Sequence, residues 1–257
     1  QSFFLFMALG LYFQTFNTVR YYLALSIALF SMRYVLEKDW LKFVFWVGIA
    51  ALFHKSVLLV IPVYWIASLD WKKWQIVAGL VASAVCYMGR GVLLKLALVL
   101  YPSYKNTIYL AGGGSWFGNL RILIVIAFYV WFLHTRAFAQ REHRNFPLNT
   151  LLETQSWYLE LRFYGHLNLL AFVTGTFFSF LPVVTRLSYY FGVSQLFLLP
   201  LILRQIQDVK IQKKAKAVLF VVYLASFLIF LLQAHREGVG LLPYRSWLFE
   251  TQRYIHK

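Results

Sequence analysis

The sequence predicts an all-α fold, a polytopic transmembrane helical bundle, and two observations support this prediction. Hydrophobic residues make up 61% of the chain and charged residues only 13%, whereas a soluble domain carries roughly 25% charged residues. A helix also needs about 20 apolar residues to cross a hydrocarbon core, and apolar stretches near that length recur along this chain. We expect seven or eight membrane segments in one integral membrane domain, residues 1–257, from apolar stretches at 2–16, 18–36, 41–69, 75–100, 120–139, 163–181, 187–203 and 216–233.

These stretches are expected to be helices rather than strands of a barrel. Residues 122–133 are apolar without interruption, whereas the strands of a membrane barrel alternate apolar and polar residues. A helix satisfies its own backbone hydrogen bonds in lipid, so it is the structure that fits such a stretch.

The stretch 41–69 is different because the polar residues His54, Lys55 and Ser56 interrupt it near its middle. Polar side chains at that depth are costly unless they line a cavity. Two interpretations remain: one long tilted helix, or a re-entrant, broken pair of half-helices. We favour the second because it leaves more Lys and Arg residues on the cytoplasmic side.

The cations predict the orientation of the bundle. The segment 204–216 is short and strongly basic, so it is expected to be a cytoplasmic loop. Alternation then places 101–119 and 182–186 on the outer face and makes 234–257 an extracytoplasmic tail. The five cations of the basic segment are Arg204, Lys210, Lys213, Lys214 and Lys216.

Composition also excludes several classes of function. The net charge of +16 would suggest nucleic-acid binding in a soluble protein, but these cations lie at segment ends, where they meet lipid headgroups. No nucleic-acid partner is therefore expected. Cys86 is the single cysteine, and no His and Cys spacing suggests zinc. We expect no metal and no cofactor.

Two arginines near the outer ends of predicted helices are candidate catalytic residues, Arg20 and Arg186. A guanidinium can hold phosphate oxygens through two hydrogen bonds, and two of them beside one cavity would suit a pyrophosphate. The alternative for each is an arginine that reaches toward lipid headgroups. Polar neighbours on the same helix faces are Asn17 and Tyr21 for Arg20, and Tyr189 and Tyr190 for Arg186.

His54 is the third candidate. A histidine at this depth is a general base, a proton relay or a buried ring satisfied by a neighbouring helix, and Lys55 and Ser56 beside it favour a functional position. Carboxylates are scarce on the predicted outer side, where only Glu237 and Glu250 remain. A site with two carboxylates is therefore not supported there.

The chain begins at Gln1, without Met and without the basic start of a signal peptide. We interpret it as an N-terminally truncated fragment of a longer polytopic protein.

Four short motifs, taken in order, resemble the EpsG family, the Wzy-like polytopic membrane proteins of bacterial exopolysaccharide and capsule synthesis. The motifs are Asn17-Thr18-Val19-Arg20, Ile49-Ala50-Ala51-Leu52-Phe53-His54-Lys55-Ser56, Arg186-Leu187-Ser188-Tyr189-Tyr190-Phe191 and Leu242-Pro243-Tyr244-Arg245. Family members typically carry further transmembrane helices and an acidic motif upstream of the first motif, which this chain lacks.

The resemblance implies a polysaccharide polymerase, a membrane glycosyltransferase in the bacterial cytoplasmic membrane. Such an enzyme transfers a glycan from an undecaprenyl-pyrophosphate-linked donor to a lipid-linked repeat unit at the outer face. Other polysaccharide-export and chain-length-control membrane proteins would be its partners.

On this reading Arg20 and Arg186 stabilise the pyrophosphate leaving group, and His54 positions or deprotonates the acceptor hydroxyl. The expected substrate-binding residues are Asn17, Tyr189, Tyr190, Glu237, Tyr244 and Arg245.

Two other functions remain open. A transporter or flippase for lipid-linked sugars would also need intramembrane Arg and His residues and a broken helix, although the sequence has no detectable inverted repeat. A membrane-embedded acyltransferase that modifies the polysaccharide would also use a histidine, and it would depend on an acyl donor.

Overall fold

The computed structural model describes residues 1–16, 18–100, 116–142 and 148–236, with the side chains of 100, 136–142, 148–156, 182, 183, 185, 186 and 234–236 left out. Within these ranges the chain is helical and contains no strand, which confirms the predicted all-α class. The helices are α1 (Ser2–Ala8), α2 (Leu11–Thr15), α3 (Val19–Leu36), α4 (Trp40–Phe53), a 3-10 helix (Lys55–Leu59), α5 (Val60–Ser68), α6 (Lys73–Met88), α7 (Arg90–Leu100), α8 (Trp116–Glu142), α9 (Leu148–Phe177), α10 (Pro182–Gly192), α11 (Gln195–Gln205) and α12 (Val209–Arg236).

Four described stretches are long and apolar enough to cross a membrane, Val19–Leu36, Trp116–Thr135, Leu187–Gln205 and Val209–Gln233. Helices α6 and α7 would form a fifth as a pair bent by 78°. The expected seven or eight segments are therefore not confirmed within the described residues. Three predicted segments are not among them. Two are broken, 2–16 at Gly10, which has a φ of 71°, and 41–69 at His54; the third, 163–181, lies mostly on α9, which is not apolar enough to qualify.

Helix α9 is the centre of the bundle and packs against α3, α5, α6, α8, α10 and α11. From Leu161 to Asn168 every residue except Arg162 is buried. A helix that is buried on all its faces must be apolar on all of them or satisfy its polar groups internally. The amide nitrogen of Asn168 is satisfied within the bundle, because it donates to Tyr164 O at 2.9 Å and to Ser194 Oγ at 2.8 Å.

Helices α3 and α4 form a closely packed antiparallel hairpin. Ala24, Ala28 and Ala50 are completely buried, and small side chains such as these allow two helix backbones to approach closely. Asp39 ends the turn between the helices by accepting a hydrogen bond from the Lys42 backbone N–H at 3.2 Å. The Lys42 side chain also bonds this carboxylate and holds the pKa of Asp39 below its usual range.

Beyond α4 the chain folds back on itself. Helix α4 ends at His54, which is extended with φ −152° and ψ 110°, and the 3-10 helix then leads into α5. The ring centroids of Phe43 and Tyr64 are 6.1 Å apart, whereas a continuous helix would separate residues 21 positions apart by about 30 Å. The stretch 41–69 is thus a broken, antiparallel pair of short helices, as the favoured interpretation requires.

The far end of this pair is anchored to α9. Arg162 forms an ion pair with Asp70 and donates to Ser68 O at 3.2 Å. The His166 ring stacks on Trp71 with centroids 4.1 Å apart, and its Nδ1 donates to the carbonyl of Ala67 at 2.9 Å. These contacts fix where α5 ends, and they hold the half-helix against the central helix.

The basic segment 204–216 is mostly helical rather than a loop. Only residues 206–208 connect α11 to α12. Asp208 caps α12 by accepting from the backbone N–H groups of Lys210 and Ile211 at 2.7 and 3.2 Å, so the four lysines of the segment lie on the first turns of α12. Their cytoplasmic location stays a prediction.

The contact between α8 and α9 depends on a glycine, and this gives a first test. A Cβ atom at Gly165 would overlap the ring of Tyr129, so Gly165→Ala forces the ring to move. Overpacking of this kind costs about 1–3 kcal/mol, and we expect a lower midpoint of thermal unfolding for the purified protein in detergent.

The matched control is Gly48→Ala, because nothing lies within 4 Å of a Cβ at Gly48. It should leave the midpoint unchanged or raise it. Adding Tyr129→Leu to Gly165→Ala should restore stability by giving the new methyl group room. Equal midpoints for the two alanine variants would contradict the close approach of α8 and α9.

Candidate functional site

A cavity of about 220 Å³ lies at one end of the bundle. Helix α8 begins here, α9 and α12 end here, and α10 and the α1–α2 junction complete the wall. We call this end of the molecule the cavity end. Polar residues in the wall include Gln14, Asn119, Arg121, Ser188, Tyr189 and Gln233.

Arg121 is the charged residue of this wall, and no carboxylate lies among the described residues that line the cavity. Its Nε is buried and has no hydrogen-bond partner within the described part of the chain. A buried cation inside an apolar helix is costly unless it faces a cavity or an anion. The cavity therefore has a positive wall without an internal counter-charge among these residues.

Asn119 lies on the same helix, two residues closer to its start. Its Nδ2 donates to Gly175 O at 3.0 Å. A Cβ at Gly175 would lie 2.6 Å from Asn119 Oδ1, so a glycine is needed for this close approach. The contact ties the start of α8 to the end of α9 and keeps the amide in the cavity wall.

Gln14 links the cavity to α3. The hydroxyl of Tyr22 donates to Gln14 Oε1, and Tyr22 is buried beside Tyr21, with ring centroids 5.4 Å apart. The start of α3 is thereby held close to the cavity.

A second polar group surrounds the break after α4, and we call it the His54 cluster: His54, Ser56, Tyr21 and Tyr190. His54 Nδ1 is hydrogen-bonded to Ser56 Oγ at 2.7 Å, and Ser56 Oγ lies 3.4 Å from the hydroxyl of Tyr190. The Tyr21 ring is 5.2 Å from both the His54 ring and the Tyr190 ring. The break thus carries a histidine held by a hydroxyl network.

The cavity and the His54 cluster meet on α10. Tyr189 lines the cavity and is 45% exposed, while the next residue, Tyr190, is fully buried in the cluster. Consecutive Cα atoms are about 3.8 Å apart. Adjacent residues of α10 therefore join the cavity wall to the His54 cluster.

The predicted site residues fall into three groups. His54, Tyr189 and Tyr190 are brought together as described above. Arg20 is exposed in the first turn of α3 and is not part of the cavity wall. Arg186 lies on α10, but its side chain is outside the description, and four further predicted residues lie outside the described residues altogether: Asn17, Glu237, Tyr244 and Arg245.

Sequence reasoning missed Arg121, Asn119 and Gln14. A signal for Arg121 was present, because it is an isolated cation near the start of the apolar stretch 120–139, as Arg20 and Arg186 are in theirs. Asn119 and Gln14 carried no such signal, since only tertiary contacts bring them to the cavity. Among the described residues, no group of three His, Cys, Asp or Glu side chains could hold a metal ion.

The link between Ser56 and His54 is open to a direct test. In Ser56→Ala the imidazole loses its bond at Nδ1, and removing a hydrogen bond of about 1 kcal/mol should speed modification of His54 by diethyl pyrocarbonate roughly fivefold. Mass spectrometry of the peptide that contains His54 measures the rate of this modification. The control is Ser83→Ala, whose hydroxyl donates to Gly79 O within α6 at 2.7 Å, and an equal rate in both variants would contradict the link.

Comparison with known proteins agrees with the motifs found in the sequence. The model of the EpsG family matches residues 1–246. No curated protein and no solved structure gives a significant match. With nearly its whole length covered by the family model, the chain belongs to the EpsG family.

Proposed function

We propose that this protein is a polysaccharide polymerase that acts at the outer face of the bacterial cytoplasmic membrane. It would transfer a glycan from an undecaprenyl-pyrophosphate-linked donor to a lipid-linked repeat unit. Membership of the EpsG family supports a polymerase-like function in polysaccharide synthesis, and the long apolar helices support a membrane location. The observation that carries the proposal is a positive cavity joined to the His54 cluster through the adjacent residues Tyr189 and Tyr190 of α10.

The reaction needs positive charge where the donor's leaving group departs. The bond between the sugar C1 and the pyrophosphate oxygen breaks, so negative charge grows on undecaprenyl pyrophosphate. Arg20 and Arg186 are proposed to stabilise it, because fixed charges aimed at a developing anion are often the largest catalytic contribution. Arg20 lies in the first turn of α3, and Arg186 is the fifth residue of α10. Both are thus near helix starts, where the helix dipole is also positive.

The reaction also needs a group that takes the proton of the acceptor hydroxyl. The bond between His54 Nδ1 and Ser56 Oγ at 2.7 Å orients the ring, so Nε2 is the nitrogen proposed to accept this proton. The acceptor oxygen then forms the new bond to C1. The glycan is thereby lengthened by one repeat unit, and the lipid pyrophosphate leaves.

Aromatic and polar side chains are proposed to hold the sugars. Tyr189 exposes its ring in the cavity, and tyrosine faces stack well on apolar sugar faces. The other proposed substrate-binding residues are Asn17, Tyr190, Glu237, Tyr244 and Arg245. Proposed partners are the export and chain-length-control proteins of the same polysaccharide.

Restoring the full-length gene to a strain that lacks it tests this function. Arg20→Ala, Arg186→Ala and His54→Ala should each lower the yield of long polymer, and loss of one charge-stabilising group typically costs 10²–10³ in rate. Single lipid-linked repeat units should accumulate on the outer face. Polymer length and lipid-linked units are measured together in strains with equal amounts of membrane-inserted protein.

The control is Arg33→Ala, on the same helix as Arg20 but near its other end, where Arg33 is exposed and paired with Glu37. It should make normal polymer. Accumulation of units on the inner face would instead identify a flippase. Polymer of normal length without acyl groups would identify an acyltransferase, and normal polymer in every variant would reduce the arginines to membrane anchors.

A further inference from the structure

The starting point is Arg121 and its depth in α8. The helix begins at Trp116, so Arg121 lies about 7–8 Å along it at 1.5 Å per residue. The residues that follow, 122–133, are all apolar. An arginine at the very end of a span can extend into the headgroup region, but Arg121 instead turns into the cavity.

The charge of Arg121 is not balanced within the described structure. No Asp or Glu is present among the described residues of the cavity wall. Of the described ionisable groups, those that act on Arg121 are Tyr189 and Tyr223. Tyrosines are neutral near pH 7, so neither supplies a negative charge. The buried Nε also has no hydrogen-bond acceptor among the described residues. An oxyanion would supply both the negative charge and the acceptor.

The surroundings of Arg121 also suit an anion. The cavity is bounded by Phe117, Gly118 and Asn119 at the start of α8, where the helix dipole is positive. Its volume of about 220 Å³ is far larger than the roughly 10–15 Å³ that one water molecule requires. A group with several oxygen atoms can therefore enter.

We propose that Arg121 binds a pyrophosphate group in this cavity. The planar guanidinium fork matches two phosphate oxygens, and the cavity meets the His54 cluster at Tyr189 and Tyr190. The anion site stands on its own geometry, whereas the lipid-linked donor as its source rests on the proposed function. If the lipid-linked donor is the source, Arg121 holds its pyrophosphate from the cavity wall. Arg121 thereby sets the position of the sugar C1.

Inorganic pyrophosphate is the first probe. The purified full chain is placed in nanodiscs of phosphatidylcholine, and its midpoint of thermal unfolding is followed as pyrophosphate is added, since a ligand that binds only the folded state raises this midpoint. Wild type should be stabilised. Arg121→Gln should bind at least tenfold more weakly, and Arg121→Lys should be intermediate because it keeps the charge but loses the fork.

Two further variants keep the result interpretable. Arg33→Gln removes an exposed arginine that is not part of the cavity wall and should bind like wild type. Gly192→Leu fills the cavity while keeping Arg121, because Gly192 lines the wall and nothing lies within 4 Å of a Cβ there. It should also weaken binding, so the proposal remains testable if Arg121→Gln does not fold. Equal affinity in wild type, Arg121→Gln and Gly192→Leu would overturn the proposal, as would no binding by wild type.

Lipid probes then identify the source of the anion. Undecaprenyl pyrophosphate in the nanodisc should stabilise wild type more than inorganic pyrophosphate does, with the same dependence on Arg121. Equal stabilisation by phosphatidylglycerol would overturn the pyrophosphate assignment in favour of a lipid headgroup. If pyrophosphate binding depends on Arg121 but the polymer is normal in the Arg20, Arg186 and His54 variants, then the anion site holds and the polymerase proposal fails.

Discussion

The structure depends on one constraint, the break of the apolar stretch 41–69 at His54. His54 is extended, with φ −152° and ψ 110°, so the chain leaves the helix there and returns as α5. Phe43 and Tyr64 then pack together with ring centroids 6.1 Å apart. Tyr64, which is completely buried, also donates to Tyr190 O at 3.1 Å. The return of the chain thus positions α10, the helix that joins the His54 cluster to the cavity.

The chemistry of the site follows from this arrangement. The break places an imidazole and a hydroxyl inside the bundle, and α10 brings a buried tyrosine to them and an exposed tyrosine to the cavity beyond. The cavity supplies positive charge through Arg121 and the start of α8. The proposed base and the proposed anion site together form the combination that transfer from a pyrophosphate-linked sugar requires. Because the two parts come from different segments of the chain, neither is visible in a single motif.

Much of the fold was accessible from the sequence, and the limits have physical reasons. Apolar length identified the helices, and the cost of burying His54, Lys55 and Ser56 identified the break. The number of spans was not accessible in the same way, because hydropathy does not reveal that Gly10 turns the chain. Arg121 was missed because its proposed role depends on its tertiary surroundings. The described residues that line the cavity with it include no carboxylate, and the sequence does not reveal which residues meet there.

The most direct test of the account is whether α4 and α5 return the chain to the same side of the membrane. Single cysteines are introduced as Glu37→Cys and Lys72→Cys after Cys86→Ser, and spheroplasts are treated with a membrane-impermeant maleimide before and after permeabilisation. The account predicts that both positions react only after permeabilisation, because it places both on the cytoplasmic side. Reaction of one position from outside and of the other only from inside would show that 41–69 crosses the membrane once, and it would contradict the account.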